Sequence, residues 1–163
     1  MADFTDLRIR PAIARDLPGI IALIDAVYWE YGERICLEGA DSDLLAAHES
    51  YGRRGGEFVV LTDEHRILGT HAILPLRAPE VCTFRRLYLD NSLRGQRWGE
   101  QVMNWAIETA LARGFSRVEF WSDTRFLRAH RFFERLGFVR TGEVRAMHDG
   151  HVPYQEYFFW MAL

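Results

Sequence analysis

The stretch from Val81 to Ser122 constrains this fold more than any other. "VCTFRRLYLD" (Val81–Asp90) reads as a strand with Arg85 and Arg86 in its middle. A polar turn containing two glycines follows. From Trp98 to Ala112 the apolar residues Val102, Met103, Ala106, Ile107, Ala110 and Leu111 then recur at helical spacing. Gly114 closes that helix as a left-handed cap, and "RVEFWS" (Arg117–Ser122) is a second strand. Two strands joined through a helix return parallel rather than as a hairpin, so the pattern predicts a parallel pair inside an α/β domain.

The rest of the chain supplies antiparallel material. "LRIRPA" (Leu7–Ala12) is a short strand. Asp16 begins a helix with Pro18 in its first turn and Ile20, Ile21, Leu23, Ile24 and Val27 on its apolar face. A second helix is capped near Asp41 or Ser42 and ends at Gly52. Glu57–Asp63 and Arg66–Leu76 form a hairpin across Glu64-His65. Arg125–Gly137 is an amphipathic helix, and Val139–Met147 and Val152–Leu163 are strands joined by a turn at Asp149-Gly150. The expectation is a mixed, mostly antiparallel sheet of about seven strands, flanked by about four helices, in one domain spanning residues 1–163.

Composition narrows the function classes. A net charge of −3 argues against a general nucleic-acid binder. Apolar residues are dispersed, and the run "GIIALIDAV" is broken by Asp25, so no membrane span is expected. The first ten residues lack a basic segment followed by an apolar one, and Cys36 and Cys82 fit no metal or disulfide framework. A cytoplasmic location follows. All 20 basic residues counted as Lys+Arg are arginine. Codon bias in a GC-rich genome explains this, as does avoidance of self-modification by a protein that handles activated acyl groups.

The turn "NSLRGQRWGE" has a chemistry of its own. The first N–H groups of the helix beginning near Trp98 have no intrahelical partner and share the positive end of its dipole. Gly95 and Gly99 let the backbone approach an anion, and Arg94 and Arg97 add charge. Such a loop suits a pyrophosphate. It is neither a dinucleotide fingerprint nor a Walker loop. Arg97 stands where a third glycine would be expected. An ordinary right-handed conformation there would cost nothing, and that is the conformation expected.

"RRLYLDNSLRGQRWGEQVM", followed about thirty residues on by "AHRFFERLGF", resembles the GNAT superfamily of acyl-CoA-dependent N-acyltransferases. Arg94–Gly99 corresponds to that family's R-x-x-G-x-G/A loop, and Phe132–Phe138 to its aromatic-aromatic-Glu-x-Leu-Gly-Phe helix end. The resemblance implies a sheet whose parallel pair splays apart to admit acetyl-CoA as co-substrate, with no metal. Leu87, Tyr88 and Leu89 would hold the pantetheine arm through their main chain, the Leu89 N–H facing the thioester carbonyl. Arg94, Gly95, Gln96, Arg97, Trp98, Gly99 and Glu100 would hold the pyrophosphate, and Phe133 would lie along the thiol end. Many members carry tyrosine at the position of Phe133, as the acid that protonates the departing thiolate. The usual carboxylate base is replaced by Thr83 or Trp121, and an asparagine before the last helix by Phe126. Strand alternation puts Glu119 and Asp123 on the face of Trp121, so these are the base candidates; a solvated strand residue and a helix N-cap are the competing readings.

Several other residues admit two readings. "HDGH" suggests a metal, or only a hairpin loop lacking a third ligand. His71 reads as packed, and His130 faces either cofactor or solvent. Tyr28, Trp29, Tyr31, Trp121, Tyr154 and Tyr157 wall an acceptor pocket or pack the core. By the resemblance, Tyr31–Ala40 and Arg145–Tyr154 border the acceptor site. Arg125, Arg128, Arg131 and Arg135 form a basic stripe that faces a phosphate or water. The expected activity is direct acetyl transfer to a primary amine, with a small molecule as acceptor. The alternative is a catalytically weak CoA-binding sensor or accessory module. The aromatic last strand serves either a homodimer or the core.

Overall fold

The computed structural model describes Phe4 and residues 6–163. Its elements in chain order are β1 (Arg8–Pro11), α1 (Leu17–Trp29), α2 (Ala47–Arg53), β2 (Glu57–Thr62), β3 (Ile67–Pro75), β4 (Val81–Leu89), α3 (Trp98–Ala112), β5 (Arg117–Asp123), α4 (Leu127–Arg135), β6 (Val139–Met147) and β7 (Tyr154–Ala162). The strands form one seven-stranded sheet in the order β1-β2-β3-β4-β5-β7-β6. Among the described residues only β4 and β5 pair in parallel; the single helix α3 carries the chain back between them, so the second strand starts at the same end as the first.

Helices cover both faces. Ile20 and Ile24 of α1 and Ala47 and Tyr51 of α2 pack on Phe58, Val60, Ala72 and Leu74. On the opposite face Met103, Ala106 and Ala110 of α3 and Phe133 of α4 pack on Ile73, Cys82, Phe84, Val118, Phe120 and Phe159. Central strands buried on both sides explain why β3 reads as a nearly continuous apolar run rather than an alternating one. The aromatic last strand is inserted between β5 and β6, and of its side chains only Phe159 is fully buried.

Two local expectations need correction. The second helix does not run unbroken from Asp41 or Ser42. A 3-10 turn occupies Ser42–Ala46, and α2 starts only at Ala47. Residues two apart on a regular helix do not face one side. The break lets Asp41 and Asp43 both reach Arg86. The last helix starts at Leu127 rather than Arg125, because Arg125 is held back by Asp123. Asp16 precedes α1 as expected. Its carboxylate, however, accepts from the Ile13 N–H and from Arg10 rather than from the helix it precedes.

Candidate active site

The parallel pair is short. Val81 pairs with Arg117 and Cys82 with Val118, and beyond these the two strands part. A cleft of about 340 Å³ opens in the gap, bordered by β4, β5, the α1–α2 segment and the β6–β7 hairpin. On the α3 side its wall is apolar, with Phe84, Leu87, Met103, Phe120 and Phe133. On the α1 side it is charged and aromatic.

A bulge shapes the β4 wall. Between the pairs Ala72–Arg85 and Thr70–Tyr88, Arg86 and Leu87 stand against the single residue His71. Arg86 takes a left-handed conformation, φ 59°, which is costly for arginine. Its surroundings hold it there. Its guanidinium donates to Asp41 Oδ1 at 2.6 Å, to the Ala40 carbonyl at 2.9 Å, to Asp43 Oδ2 at 3.1 Å and to the Tyr28 hydroxyl at 3.2 Å. The displaced carbonyls find partners too: Thr70 Oγ1 donates to Arg86 O at 2.7 Å, and His71 Nδ1 lies 3.0 Å from Arg85 O. Burial pushes the His71 pKa down to about 4, so its ring is neutral at neutral pH.

Past the bulge, the Asp90 N–H donates to Leu68 O at 2.8 Å. Successive amides of a strand point to opposite edges, so the Leu89 N–H is directed away from β3 and towards the gap. The loop beyond is anchored by Leu93, buried with Leu61, Leu68 and Val102, and by Asp90, which accepts from Ser92 N at 2.9 Å. Gly95 has φ 75°. Arg97 has φ 63° and ψ 13°, which overturns the expected right-handed conformation. The backbone here must turn sharply into α3, and its path rather than the residue type sets the dihedral. Gln101 N makes the first bond of α3, to Arg97 O at 3.3 Å, so the N–H groups of Trp98, Gly99 and Glu100 precede the intrahelical ladder. Arg94 is paired with Glu30, and Arg97 with Glu100 at 2.9 Å. Both pairs are exposed enough to exchange readily for another anion. A ligand thioester carrying a diphosphate fits this arrangement: free amides at the helix start, a free strand edge and an apolar wall that includes Phe133.

The two base candidates separate. Asp123 lines the cleft. It accepts from the Arg125 N–H at 2.9 Å and pairs with the Arg125 guanidinium at 2.6 Å, without capping α4, whose N-cap is Phe126. Glu119 is not among the lining residues; it is bound to Arg117 at 2.9 Å. It stands on β5 one residue past the last closed pair, and its carboxylate is engaged by Arg117 on its own strand. Thr83 and Trp121 line the cleft without offering a carboxylate.

Sequence reasoning missed Glu156. It lies on β7 directly opposite Asp123, lines the cleft and pairs with Arg145 of β6, Nε to Oε2 2.6 Å. Burial raises its pKa, and Arg145 offsets this only in part. The Arg145 guanidinium also stacks on Trp121 at 4.4 Å. The alternation Tyr154, Glu156, Phe158 was the available signal.

The segments expected to border the acceptor line the cleft, with Tyr31, Glu33, Cys36 and Ala40 on one side and Arg145, Asp149, His151 and Tyr154 on the other. They are tied together by Ala40 N to Asp149 O at 2.8 Å and by His151 Nε2 with Ile35 O at 2.9 Å. This docking gives the "HDGH" turn its structural role. Tyr28 and Trp121 also reach the cleft, whereas Trp29 is 66% exposed against Arg34 and Tyr157 packs on His130. His130 is buried, with Nε2 3.1 Å from Ser122 Oγ. The basic stripe loses Arg125, which bridges Asp123 and Glu33, while Arg128, Arg131 and Arg135 are exposed. Among the described residues no helix is long and apolar enough to cross a membrane, and no group of three His, Cys, Asp or Glu side chains is placed to hold a metal.

The Acetyltransferase (GNAT) family model matches residues 22–138. An uncharacterized N-acetyltransferase of Schizosaccharomyces pombe is 27% identical over 130 residues, covering 79% of this chain and 80% of that protein. In fold, the chain is similar to an acetyltransferase of Streptococcus agalactiae, with a TM-score of 0.84 at 18% identity over 98% of this chain and 99% of that one. It is also similar to a GNAT-family acetyltransferase of Staphylococcus aureus, with a TM-score of 0.80 at 16% identity over 96% and 98%.

Proposed function

Because the chain belongs to the GNAT family of acetyltransferases, we propose that it moves an acetyl group from acetyl-CoA directly onto a primary amine of a small molecule. The observation that carries this reading is the early end of the β4–β5 pairing, which opens the free edge of β4 and a carboxylate-bearing cleft onto one gap.

Bound acetyl-CoA supplies an activated acyl thioester. The residues of the chain do the rest. The amides of Trp98, Gly99 and Glu100 meet the diphosphate, with Gly95, Gln96 and Arg97 shaping the loop and Arg94 released from Glu30 to join them. The main chain of Leu87, Tyr88 and Leu89 orients the pantetheine arm, and the Leu89 N–H stabilises charge on the carbonyl oxygen as the amine attacks. Phe133 and Phe84 keep water from the thiol end.

An acceptor amine arrives as an ammonium and must lose a proton first. Glu156 is the assigned base. Its raised pKa favours taking up a proton, and Arg145 reaches only its Oε2, whereas Arg125 occupies both oxygens of Asp123. Asp123 then fixes Arg125 and, through it, Glu33 at the cleft rim. Cys82 is buried outside the cleft lining and burial raises its thiol to about 12, so it offers no acetyl-cysteine route. The two free thiols, Cys36 and Cys82, suit a cytoplasmic setting.

Phe133 in the place of a tyrosine supports a second reading, a CoA-binding module with weak catalysis. Free-thiol release from acetyl-CoA across an amine panel separates the two. Acceptor-dependent release supports the transferase; tight CoA binding without it supports the module.

A further inference from the structure

Five arginines line the cleft, and four are ion-paired. Arg86 meets Asp41 and Asp43, Arg125 meets Asp123 and Glu33, Arg145 meets Glu156, and Arg34 meets Asp25. The fifth, Arg85, has no carboxylate within salt-bridge distance among the described residues. Its field reaches Asp43, yet the oxygens of that carboxylate are taken by Arg86 and by the Tyr51 hydroxyl. A half-buried guanidinium without an ion-pair partner at the wall of a cleft is available to an anionic group of a ligand.

Its position tells which part of a ligand. Arg85 lies three residues beyond Cys82, as Trp121 lies three beyond Val118, so the two stand at one level where the gap is open. The side chains of Phe84 and Leu87 go to the α3 face, with the apolar core. Alternation sends Arg85 to the other face, the side of Asp43 and Tyr51. Glu156, opposite Asp123, stands about two residues further along, roughly 7 Å in the strand direction. The loop for phosphates lies past the end of β4, out of reach of Arg85.

We propose that the acceptor is a zwitterion, an amine bearing a carboxylate a few bonds away, and that Arg85 holds the carboxylate while the amine faces Glu156. This rests on the acetyl-transfer reading above and names its substrate class. Arg85 is the one cleft arginine without an ion-pair partner among the described residues, and one guanidinium fork takes one carboxylate. A phosphate dianion would find no second unpaired arginine in the cleft, so the carboxylate is the anion assigned.

The test compares amino acids with their carboxamides and decarboxylated amines as acceptors, by thiol release. The acids should lead their amides by roughly 10- to 100-fold in kcat/KM, the size of a charge-assisted pair. In Arg85→Gln that ratio should fall towards one, chiefly through KM, and Arg85→Lys should recover part of it. Thermal unfolding and CoA calorimetry on each variant confirm a folded, cofactor-competent protein. Amides that match the acids, or a ratio untouched by Arg85→Gln, would overturn the proposal. So would an aminoalkylphosphonate that outcompetes its carboxylate counterpart. If CoA binds but no acceptor turns over, the transfer reading falls separately. Calorimetry of N-acetyl amino acids against their N-acetyl amides, with CoA present, then decides the anion site: equal affinity for the two refutes it, and an acid preference lost in Arg85→Gln upholds it.

Discussion

Arg86 Nη1 lies 2.6 Å from Asp41 Oδ1, and the two side chains are only 6% and 2% exposed. This contact joins the bulge of β4 to the segment entering α2, and it holds a left-handed arginine in place. Removing one partner of a buried ion pair leaves the other charge stranded. Arg86→Ala, which strands both Asp41 and Asp43, is expected to cost about 3–5 kcal/mol in urea unfolding.

Acid should weaken the same junction. Burial alone would raise the Asp43 pKa, but the Arg86 guanidinium outweighs it and holds the carboxyl below its ordinary 3.8. A carboxylate with a depressed folded pKa contributes stability above its unfolded pKa, and that contribution is lost as pH falls through the folded value. Thermal unfolding should therefore show a stability loss below about pH 4. The loss should shrink in Asp43→Asn, which starts less stable at neutral pH.

Glu156 and the pH–rate profile form the next test. A base must be ionised to accept a proton, so a raised pKa moves the acid limb of kcat/KM above the ordinary carboxyl value of 4.5. Glu156→Gln should lower kcat by roughly 10²–10⁴-fold and remove that limb. Asp123→Asn should act mainly by freeing Arg125, with a smaller fall in kcat. A larger loss at Asp123 than at Glu156 would reverse the assignment.

The two carboxylates also show where sequence reading stops. The crossover unit was legible because helical spacing, a capping glycine and two short strands are all local signals. From it followed the parallel pair and the gap. Glu156 was not legible, because in "YQEYFFW" it is one polar residue among alternating ones, and only the pairing of β7 with β5 brings it opposite Asp123. Arg86 with Asp41 and Asp43 spans more than forty residues of chain. Glu119 shows a finer limit: alternation gives the face of a strand, not which side chains on that face reach the cleft.

Direct transfer makes a prediction about the protein itself. With no lysine in the chain and Cys82 held as a thiol, incubation with acetyl-CoA alone should leave the intact mass unchanged. A stable or acceptor-sensitive gain of one acetyl group, read by mass spectrometry, would point instead to a covalent intermediate.

Gly99 tests the anion site without disturbing the fold. A Cβ there would meet Phe132 Cζ at 3.5 Å and Leu89 Cδ1 at 3.6 Å, both ordinary contacts. Gly99→Ala should therefore fold normally. Gly99→Leu carries bulk on from that Cβ between Phe132 and Leu89, displacing the start of α3 beside the strand edge. It should weaken CoA roughly tenfold or more by calorimetry, with thermal unfolding on the same variant separating this from a folding defect.

Arg97 carries the last prediction. Its φ of 63° is a conformation that glycine adopts freely and arginine does not. The side chain gives little in return to the folded state: it is 79% exposed, and its pair with Glu100 is a surface ion pair. Arg97→Gly should therefore raise stability by about 0.5–1 kcal/mol in urea unfolding. If the charge is retained for the diphosphate, CoA affinity should fall in the same variant, and the fall should shrink as salt rises. A stability gain without an affinity loss would show that Arg97 does not contribute to holding the cofactor.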